Sequence, residues 1–264
     1  ASEKTRKHCM MLENVNYGRE ELMFLNICRK GLIGELIHGE ASYIHDLRGQ
    51  MFQKDETSFD GHPGTGSWRT KQYSKNIGNL YPTHGLGPVA QYMSLARKED
   101  NFKKIVSLSS PSKGRYLMAK KYFDKNHEWN NLEFKNGDIN TSIIQTTYGK
   151  TIMIQWDETS PRPYTRHNLI QGTMGALTGF PTRVFFDSKE NQNSIGYFPW
   201  IEGKDLLEIY EKYDHPLYKK LNEKTADSGH GGMDGIMMYR VIECLQKGEP
   251  LDQNVYEGAF WSAV

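Results

Sequence analysis

Two strand-like stretches, 139–148 and 151–156, meet at Gly149-Lys150 in the middle of the chain. A glycine-containing pair between two such runs is typical of a tight β-hairpin, so this segment predicts two antiparallel strands. Further strands are predicted at 164–173 and 183–187. The last third has apolar residues at helical spacing, over 206–213, 215–222, 234–246 and 254–264. The sequence therefore predicts a β-rich middle followed by a helical end.

The first half is predicted to mix strands and helices. Strands are expected at 7–12, 35–45 and 102–109, the first of them buried. Helices are expected at 19–30, 89–95 and 110–125, the last with Ser110-Pro111 as its N-cap and first turn. The stretch 46–79 is rich in Gly, Ser, Thr and charge and has little periodicity, which is typical of a lid, a binding loop or disorder.

Charge and cysteine content exclude several classes of protein. The 33 Lys and Arg balance 32 Asp and Glu, so there is no electrostatic footprint for nucleic acid or an anionic membrane. No apolar run is long enough to span a membrane. Cys9, Cys28 and Cys244 form neither a disulfide framework nor a CxxC metal site, and we expect buried thiols. The partner expected from composition is therefore small and uncharged.

Two motifs place tyrosine beside histidine. Tyr43 and His45 stand two residues apart at the end of a predicted strand, so both point to one face and can form a proton-transfer pair. In GNLYPTHGLGP, a proline and three glycines hold Tyr81 and His84 on a kinked backbone, and Thr83 is a candidate helix cap that places His84 at the positive end of the helix dipole and favours its neutral form. A purely structural strand end and a purely structural turn are the alternatives.

Other candidate residues lie in irregular segments. His230 stands among three glycines in SGHGGMD, which suggests a site residue on a moving loop or simply a turn. Arg69 in GSWRT and Tyr164 in PRPYTRH have similar surroundings. The spacing of His45, Asp46, His84 and His230 permits a metal site but does not require one. There is no GxSxG or HExxH motif, and the glycines near residue 61 follow no predicted strand, so they do not form a nucleotide fingerprint.

At these motifs the sequence resembles a known family. The matching segments are ENVNYGREELMFLNICRKGLIGELIHGEASYIHDLR, SWRT, GNLYPTHGLGPVAQYM, PRPYTRHNLIQGTMG and GHGGMD. They are similar to those of glycoside hydrolase family 109, the NAD-dependent α-N-acetylgalactosaminidases, within the superfamily of glucose-fructose oxidoreductase and inositol dehydrogenase. The resemblance runs nearly end to end.

The resemblance implies an α+β fold with an open, mostly antiparallel sheet and helices on one face. It implies that residues 1–17 end an NAD-binding Rossmann domain, with 7–12 as its last strand, and that the rest of that domain lies outside this sequence. Residues 18–232 would form the substrate domain, and 233–264 would be C-terminal helices that pack back on it. A homodimer is also expected, because an open sheet face is available for contact.

The resemblance also implies a cofactor and a reaction. NAD would oxidise the sugar at C3, which acidifies the proton at C2; elimination at C1, addition of water and return of the hydride would complete the cycle. Such NAD-dependent families are known exceptions to the usual pair of carboxylates in glycosidases. Tyrosine and histidine would then handle protons while the cofactor carries the electron chemistry.

Site residues carry over from the family position by position. For the cofactor these are Asn14, Glu13 and Tyr81. For the substrate they are Tyr43, Arg69, Tyr81, Pro82, Thr83, His84 and Tyr164. For the proton transfers they are Tyr81, His84, Tyr43 and His45, with His230 acting on the leaving group. No metal is implied. Two alternatives remain: a sugar dehydrogenase of the same superfamily, which would accumulate reduced cofactor, and a non-catalytic sugar-binding fragment.

Overall fold

The computed structural model describes residues 2–52 and 66–264, which are built around one eight-stranded sheet. The strands are β1 Leu36–Ile44, β2 Phe102–Ser109, β3 Ile139–Thr146, β4 Thr151–Asp157, β5 Leu169–Gly172, β6 Gly175–Thr178, β7 Arg183–Phe186 and β8 Ile201–Glu202. They lie in the order β2-β3-β4-β1-β5-β6-β7-β8. In the described part of the chain β1 and β4 run parallel and the other neighbours are antiparallel. The predicted open, mostly antiparallel sheet is confirmed.

Ten α-helices occur in the described residues. They are α1 Ser2–Thr5, α2 Arg19–Arg29, α3 Gly66–Lys75, α4 Thr83–Tyr92, α5 Gly114–Tyr122, α6 Lys189–Gln192, α7 Leu206–Tyr213, α8 Pro216–Thr225, α9 Met233–Lys247 and α10 Val255–Trp261. Short 3-10 helices occur at Asn14–Tyr17, Arg48–Phe52, Glu128–Asn131, Gly203–Asp205 and His230–Gly232. None of the helices in these described ranges is both long enough and apolar enough to cross a membrane.

The core lies between the helices and one face of the sheet. Ala41 of β1 and Ile154 of β4 are paired neighbours, and both are buried against Phe24 of α2 and Val89 of α4. Side chains alternate between the two faces of a strand, so the intervening residues point away from this core. Val106 of β2, for example, is 66% exposed. The predicted arrangement of helices on one face of the sheet is therefore confirmed.

Helix α4 lies unusually close to strand β1. A Cβ atom added to Gly85 would lie 2.3 Å from the backbone oxygen of Ser42, and one added to Gly39 would lie 2.5 Å from a methyl group of Val89. Only residues without a side chain permit so close an approach. Gly85 of the YPTHGLGP motif and Gly39 of β1 therefore let α4 lie directly against β1.

The predicted buried strand at 7–12 is wrong. Met10 alone forms a bridge, to Asn254, while Cys9 and Leu12 are exposed. Residues 7–12 do include an apolar run, but apart from this bridge they pair with no strand among the described residues, and they lie mostly at the surface. The expectation that all three cysteines are buried is accordingly wrong for Cys9; Cys28 is half-buried, and Cys244 is buried.

Two predicted boundaries are also wrong. The helix expected from Ser110-Pro111 begins at Gly114, because the carboxylate of Asp138 accepts hydrogen bonds from the backbone N–H groups of Lys113 and Gly114 and so caps the helix from a distant segment. The strand expected at 164–173 is reduced to β5. The backbone at His167 and Asn168 has positive φ, which interrupts an extended strand.

The segment predicted to be an irregular connector, 46–79, lies partly outside the described residues. Its described part contains helix α3, which the sequence analysis missed. The helix predicted at 89–95 begins six residues earlier, as α4, and therefore includes Thr83 and His84. The YPTH motif is thus the start of a helix rather than a free-standing turn. The predicted hairpin at Gly149-Lys150 is confirmed as the turn between β3 and β4.

Candidate functional site

A cluster of rings surrounds Tyr43 at the end of β1. The centroid of its ring lies 4.8 Å from that of Tyr81, 5.0 Å from His84, 5.8 Å from His45 and 6.3 Å from Tyr164. The Tyr81 and His84 rings stack at 5.3 Å. The structure therefore brings together five residues that the sequence analysis selected from three separate segments, and we call this set the ring cluster.

The ring cluster is assembled by the start of α4. Asn79 accepts a hydrogen bond from the backbone N–H of Tyr81 through its side-chain oxygen, at 2.9 Å, and Pro82 occupies the N-cap position. The predicted capping by Thr83 is wrong, because the helix takes up that residue in its first turn. Thr83 is instead buried, and its Oγ1 has no hydrogen-bond partner in the part of the chain that the structure describes.

His84 is held by a carboxylate from a distant part of the chain. Its Nδ1 lies 2.7 Å from Oε1 of Glu13, which is only 2% exposed. Because a carboxylate oxygen accepts hydrogen bonds, Nδ1 of His84 is the donor, which leaves Nε2 as the nitrogen available for other chemistry. The family resemblance implied that Glu13 lies near the cofactor, and no feature of the sequence predicted this contact with His84.

Tyr43 and His45 form the pair that strand periodicity predicted. The Tyr43 hydroxyl and His45 Nδ1 lie 3.1 Å apart. Burial, and then the nearby charge of Glu158, raise the pKa of Tyr43, so its hydroxyl keeps its proton. Burial, and then the proximity of His84, lower the pKa of His45. The protonated Tyr43 hydroxyl therefore donates a hydrogen bond to Nδ1 of the neutral His45 imidazole.

Arg69 and Glu158 form a second ion pair beside the ring cluster. Nη1 of Arg69, on α3, donates to Oε1 of Glu158 at 3.1 Å, and its Cζ lies 5.8 Å from the ring centroid of Tyr81. The hydroxyl of Tyr73 donates to the same carboxylate. Glu158 is 1% exposed, and burial raises its pKa to about 7 against the opposing attraction of Arg69. Glu158 follows β4 without any local motif, so it was not among the residues predicted from the sequence.

Tyr164 lies at the exposed edge of the ring cluster. Its side chain is 38% exposed, and its ring centroid is 5.1 Å from that of His45. The guanidinium of Arg166 donates to the Tyr164 hydroxyl at 2.9 Å and also pairs with the buried carboxylate of Glu21. This Glu21–Arg166 pair, which the sequence analysis also missed, fixes the orientation of Tyr164.

His230 takes no part in the ring contacts that join the described members of the cluster. Its side chain is 67% exposed, and its Nδ1 lies 2.7 Å from a carboxylate oxygen of Asp234. The other oxygen of Asp234 accepts a hydrogen bond from the side-chain amide of Asn14, also at 2.7 Å. The structure therefore connects His230 with Asn14, a predicted cofactor residue, and not with the residues predicted to transfer protons.

No metal centre is evident in the described residues. Over 2–52 and 66–264, no group of three or more His, Cys, Asp and Glu side chains is arranged to hold a metal ion. His84 and His230 contact different carboxylates, Glu13 and Asp234. The four candidates that sequence spacing allowed as metal ligands are thus engaged in separate interactions where they are described.

The fold is that of the C-terminal domain of oxidoreductases of the glucose-fructose oxidoreductase and inositol dehydrogenase type. An NAD binding oxidoreductase from Klebsiella pneumoniae superposes with a TM-score of 0.67 at 13% identity, over 99% of this chain and 63% of the other. Levoglucosan dehydrogenase in complex with NADH and levoglucosan gives a TM-score of 0.61 at 13% identity, over 97% and 61%. At such low identity the likeness establishes the fold alone.

The chain belongs to glycosyl hydrolase family 109, whose C-terminal domain model matches residues 17–264. Glycosyl hydrolase family 109 protein 1 of Akkermansia muciniphila is 62% identical over all of this chain and 53% of its own length. A protein of Shewanella oneidensis named alpha-N-acetylgalactosaminidase is 53% identical over all of this chain and 55% of its own length. The chain thus spans about half the length of the curated relatives it matches.

Proposed function

We propose that this chain forms the sugar-binding part of an NAD-dependent glycosidase that releases terminal N-acetylgalactosamine. The observation that carries the proposal is the ring cluster, in which phenols and imidazoles take the place of two flanking carboxylates. The nearby Glu13 and Glu158 are 2% and 1% exposed and pair with His84 and Arg69. Such a site suits proton transfers to and from a sugar better than direct acid-assisted hydrolysis. The name of the Shewanella oneidensis relative supports the choice of sugar.

The residues beside the ring cluster suit NAD as the cofactor. Asn14 uses its amide nitrogen to bind Asp234, while its side-chain oxygen accepts no hydrogen bond within the described ranges. That oxygen is the kind of acceptor that a carboxamide N–H requires. Asn14, Glu13 and Tyr81 would hold the nicotinamide half. When bound, NAD supplies reversible hydride transfer at the sugar ring, which makes the neighbouring C–H acidic.

Within the ring cluster, tyrosines act as proton donors and His45 acts as a base. Burial raises the pKa of Tyr81 to about 12, so its hydroxyl is protonated at neutral pH and can donate to a developing oxyanion. Tyr43 relays a proton to His45: its hydroxyl gives its own proton to Nδ1 and takes one from the substrate in exchange. His84, oriented by Glu13, offers Nε2 for a second transfer. These roles divide the proton movements among groups that lie in mutual contact.

The remaining predicted residues bind the sugar. Arg69 can donate to sugar hydroxyl or acetamido oxygens from beside Tyr81. Tyr164 would cover a bound sugar at the exposed edge of the ring cluster. Pro82 and Thr83 are buried beneath the ring cluster and set its shape. His230 would act on the leaving group from the side of Asn14.

An assay of the complete gene product tests this function. An aryl α-N-acetylgalactosaminide with bound or added NAD should release sugar without net formation of NADH. Tyr81→Phe should lower kcat by roughly 100-fold or more, since positioned acid–base groups contribute about 10²–10⁴. Tyr122→Phe, at a 56% exposed position outside the ring cluster, is the matched control. Accumulating NADH would indicate a dehydrogenase instead, and sugar binding without turnover would indicate a binding module.

We further propose the domain organisation and the partner. Residues 1–17 would complete an NAD-binding domain, 18–232 would form the substrate domain, and 233–264 would pack back on it. In support, Asn16 donates to the side chain of Gln253, which joins the two ends of the chain. Two copies would associate through the open sheet face, where Val106, Leu108 and Ile143 are 66%, 75% and 47% exposed.

A further inference from the structure

Glu158 is a buried acid that the proposed roles leave unused. It follows β4 and is 1% exposed, and a carboxylate in such a place requires hydrogen bonds or a cation. Arg69 and Tyr73, one turn apart on α3, both donate to it. The three side chains therefore form one connected unit between the core and the ring cluster.

The guanidinium of Arg69 depends on this unit for its position. Its only hydrogen bonds in the described residues are those from Nη1 to the two oxygens of Glu158, at 3.1 and 3.4 Å, while its Nε is buried without a partner. A cavity of about 190 Å³ opens beside it, lined also by Trp68 and Leu80. Without Glu158, no hydrogen bond from the described residues would hold the guanidinium beside Tyr81, and only its contacts with the Trp68 and Tyr81 rings would remain.

The charge of Glu158 is set by groups from several elements. Arg69 and Tyr73 face it from α3, and Tyr43 of β1 lies close enough for the Glu158 charge to raise the pKa of the phenol. Arg115 of α5 is buried, and its Cζ lies 3.9 Å from the ring centroid of Tyr73. Arg69 is thus the cation that pairs with this buried carboxylate, while Arg115 stacks on Tyr73, which donates to the same carboxylate.

We propose that Glu158 is a positioning residue, which holds the Arg69 guanidinium beside Tyr81 so that Arg69 can bind the sugar. The proposal rests on the proposed function for the identity of the ligand, but the positioning of Arg69 is a property of the chain itself. Because burial raises the pKa of Glu158 to about 7, the ion pair forms fully only above neutral pH. Sugar binding should therefore weaken as the pH falls through 7.

Kinetics of the complete gene product test whether Glu158 supports sugar binding through Arg69. Glu158→Gln keeps the side-chain volume but removes the charge, so KM for the aryl α-N-acetylgalactosaminide should rise roughly tenfold or more, with a smaller change in kcat. In the wild type, kcat/KM should fall as the pH drops below 7. Glu158→Gln should remove this acidic limb of the pH profile, and Glu158→Asp should restore it. Asp214→Asn breaks a comparable ion pair with Arg19 and should alter neither KM nor the limb. An unchanged KM and pH profile in Glu158→Gln would overturn the proposal.

NMR of the arginine side chains in the 264-residue chain tests whether Glu158 positions Arg69, and this measurement requires no enzymatic activity. The Nε–Hε signal of Arg69, assigned by its loss in Arg69→Lys, should shift with a midpoint near pH 7 in the wild type and stay constant in Glu158→Gln. A signal that titrates identically in both proteins would contradict the role of Glu158. If the complete protein releases no sugar while the signal titrates as expected, the proposed glycosidase function fails and the positioning of Arg69 stands.

Discussion

At the scale of single residues, the site is built from side chains held by buried charges. His84 is bound by Glu13, and Tyr164 is bound by Arg166, which itself pairs with Glu21. A buried ion pair contributes little net stability, yet leaving one partner alone in the interior is costly. Such pairs therefore fix orientation more than they stabilise the fold.

Glu13→Gln tests this view of His84. The amide retains an oxygen that can accept from Nδ1 but loses the charge, so His84 should be held less firmly and kcat/KM of the complete gene product should fall roughly tenfold or more. The comparison is Glu257→Gln, at another buried carboxylate, which pairs with Arg97 outside the ring cluster. Equal effects of the two substitutions on kcat/KM would show that Glu13 acts only through stability.

The sequence could predict some of these contacts but not others. Tyr43 and His45 are two residues apart on one strand, so period-two alternation suffices to bring them together. Glu13 and His84 are separated by 71 residues, and no local pattern joins them. Glu158 follows an ordinary strand, and its importance depends on burial and on Arg69, neither of which local spacing shows.

At the scale of elements, helix α4 shows tertiary structure overriding local propensity. Glycine and proline disfavour helix, so the sequence predicts this helix only from Val89, whereas it begins at Thr83. The structure begins it earlier because Gly85 must lie against Ser42 of β1. Conversely, the predicted bounds of β2, β4 and α7 agree with the structure to within one residue.

We expect two copies of the chain to associate through the outer face of β2 and β3. Val106 and Ile143 are register partners, and Leu108 lies on the same face, so the three form one exposed apolar patch. Leu108→Glu should convert a dimer into a monomer in sedimentation velocity experiments. Leu207→Glu, at a 69% exposed position on α7, is the matched control and should leave the dimer intact. A wild-type monomer, or a dimer that survives Leu108→Glu, would contradict this mode of association.

At the scale of the whole molecule, one open sheet divides the chain into a helix-covered side and an exposed side. The ring cluster lies at the ends of β1 and β4 on the helix-covered side, since Tyr43 and Trp156 continue the buried alternation of Ala41 and Ile154. The family resemblance predicted this architecture. The turn signal at Gly149-Lys150 predicted its central hairpin, and apolar residues at helical spacing predicted its C-terminal helices. The order of the strands could not be predicted from local patterns, because the parallel pairing of β1 with β4 joins segments about 110 residues apart in sequence.

The buried acid of the site should also affect the stability of the whole molecule. Burial raises the pKa of Glu158 from 4.5 to about 7, so between these values the folded chain holds a proton that the unfolded chain has lost. Stability therefore falls as the pH rises through this window, by about 3 kcal/mol from this group. The charge on Glu158 that positions Arg69 is therefore present only at the higher pH values, where the same charge lowers the free energy of unfolding.

Urea unfolding of the 264-residue chain at pH 5 and pH 8 measures this coupling. Other groups also titrate between these values, so the wild type is compared with Glu158→Gln, in which the buried position stays neutral throughout. The wild type should lose about 2–3 kcal/mol more of its free energy of unfolding than the variant does over this range. Equal losses in the two proteins would mean that Glu158 is already ionised at pH 5, and that its charge is compensated in the folded state by the Arg69 guanidinium and the hydrogen bond from Tyr73.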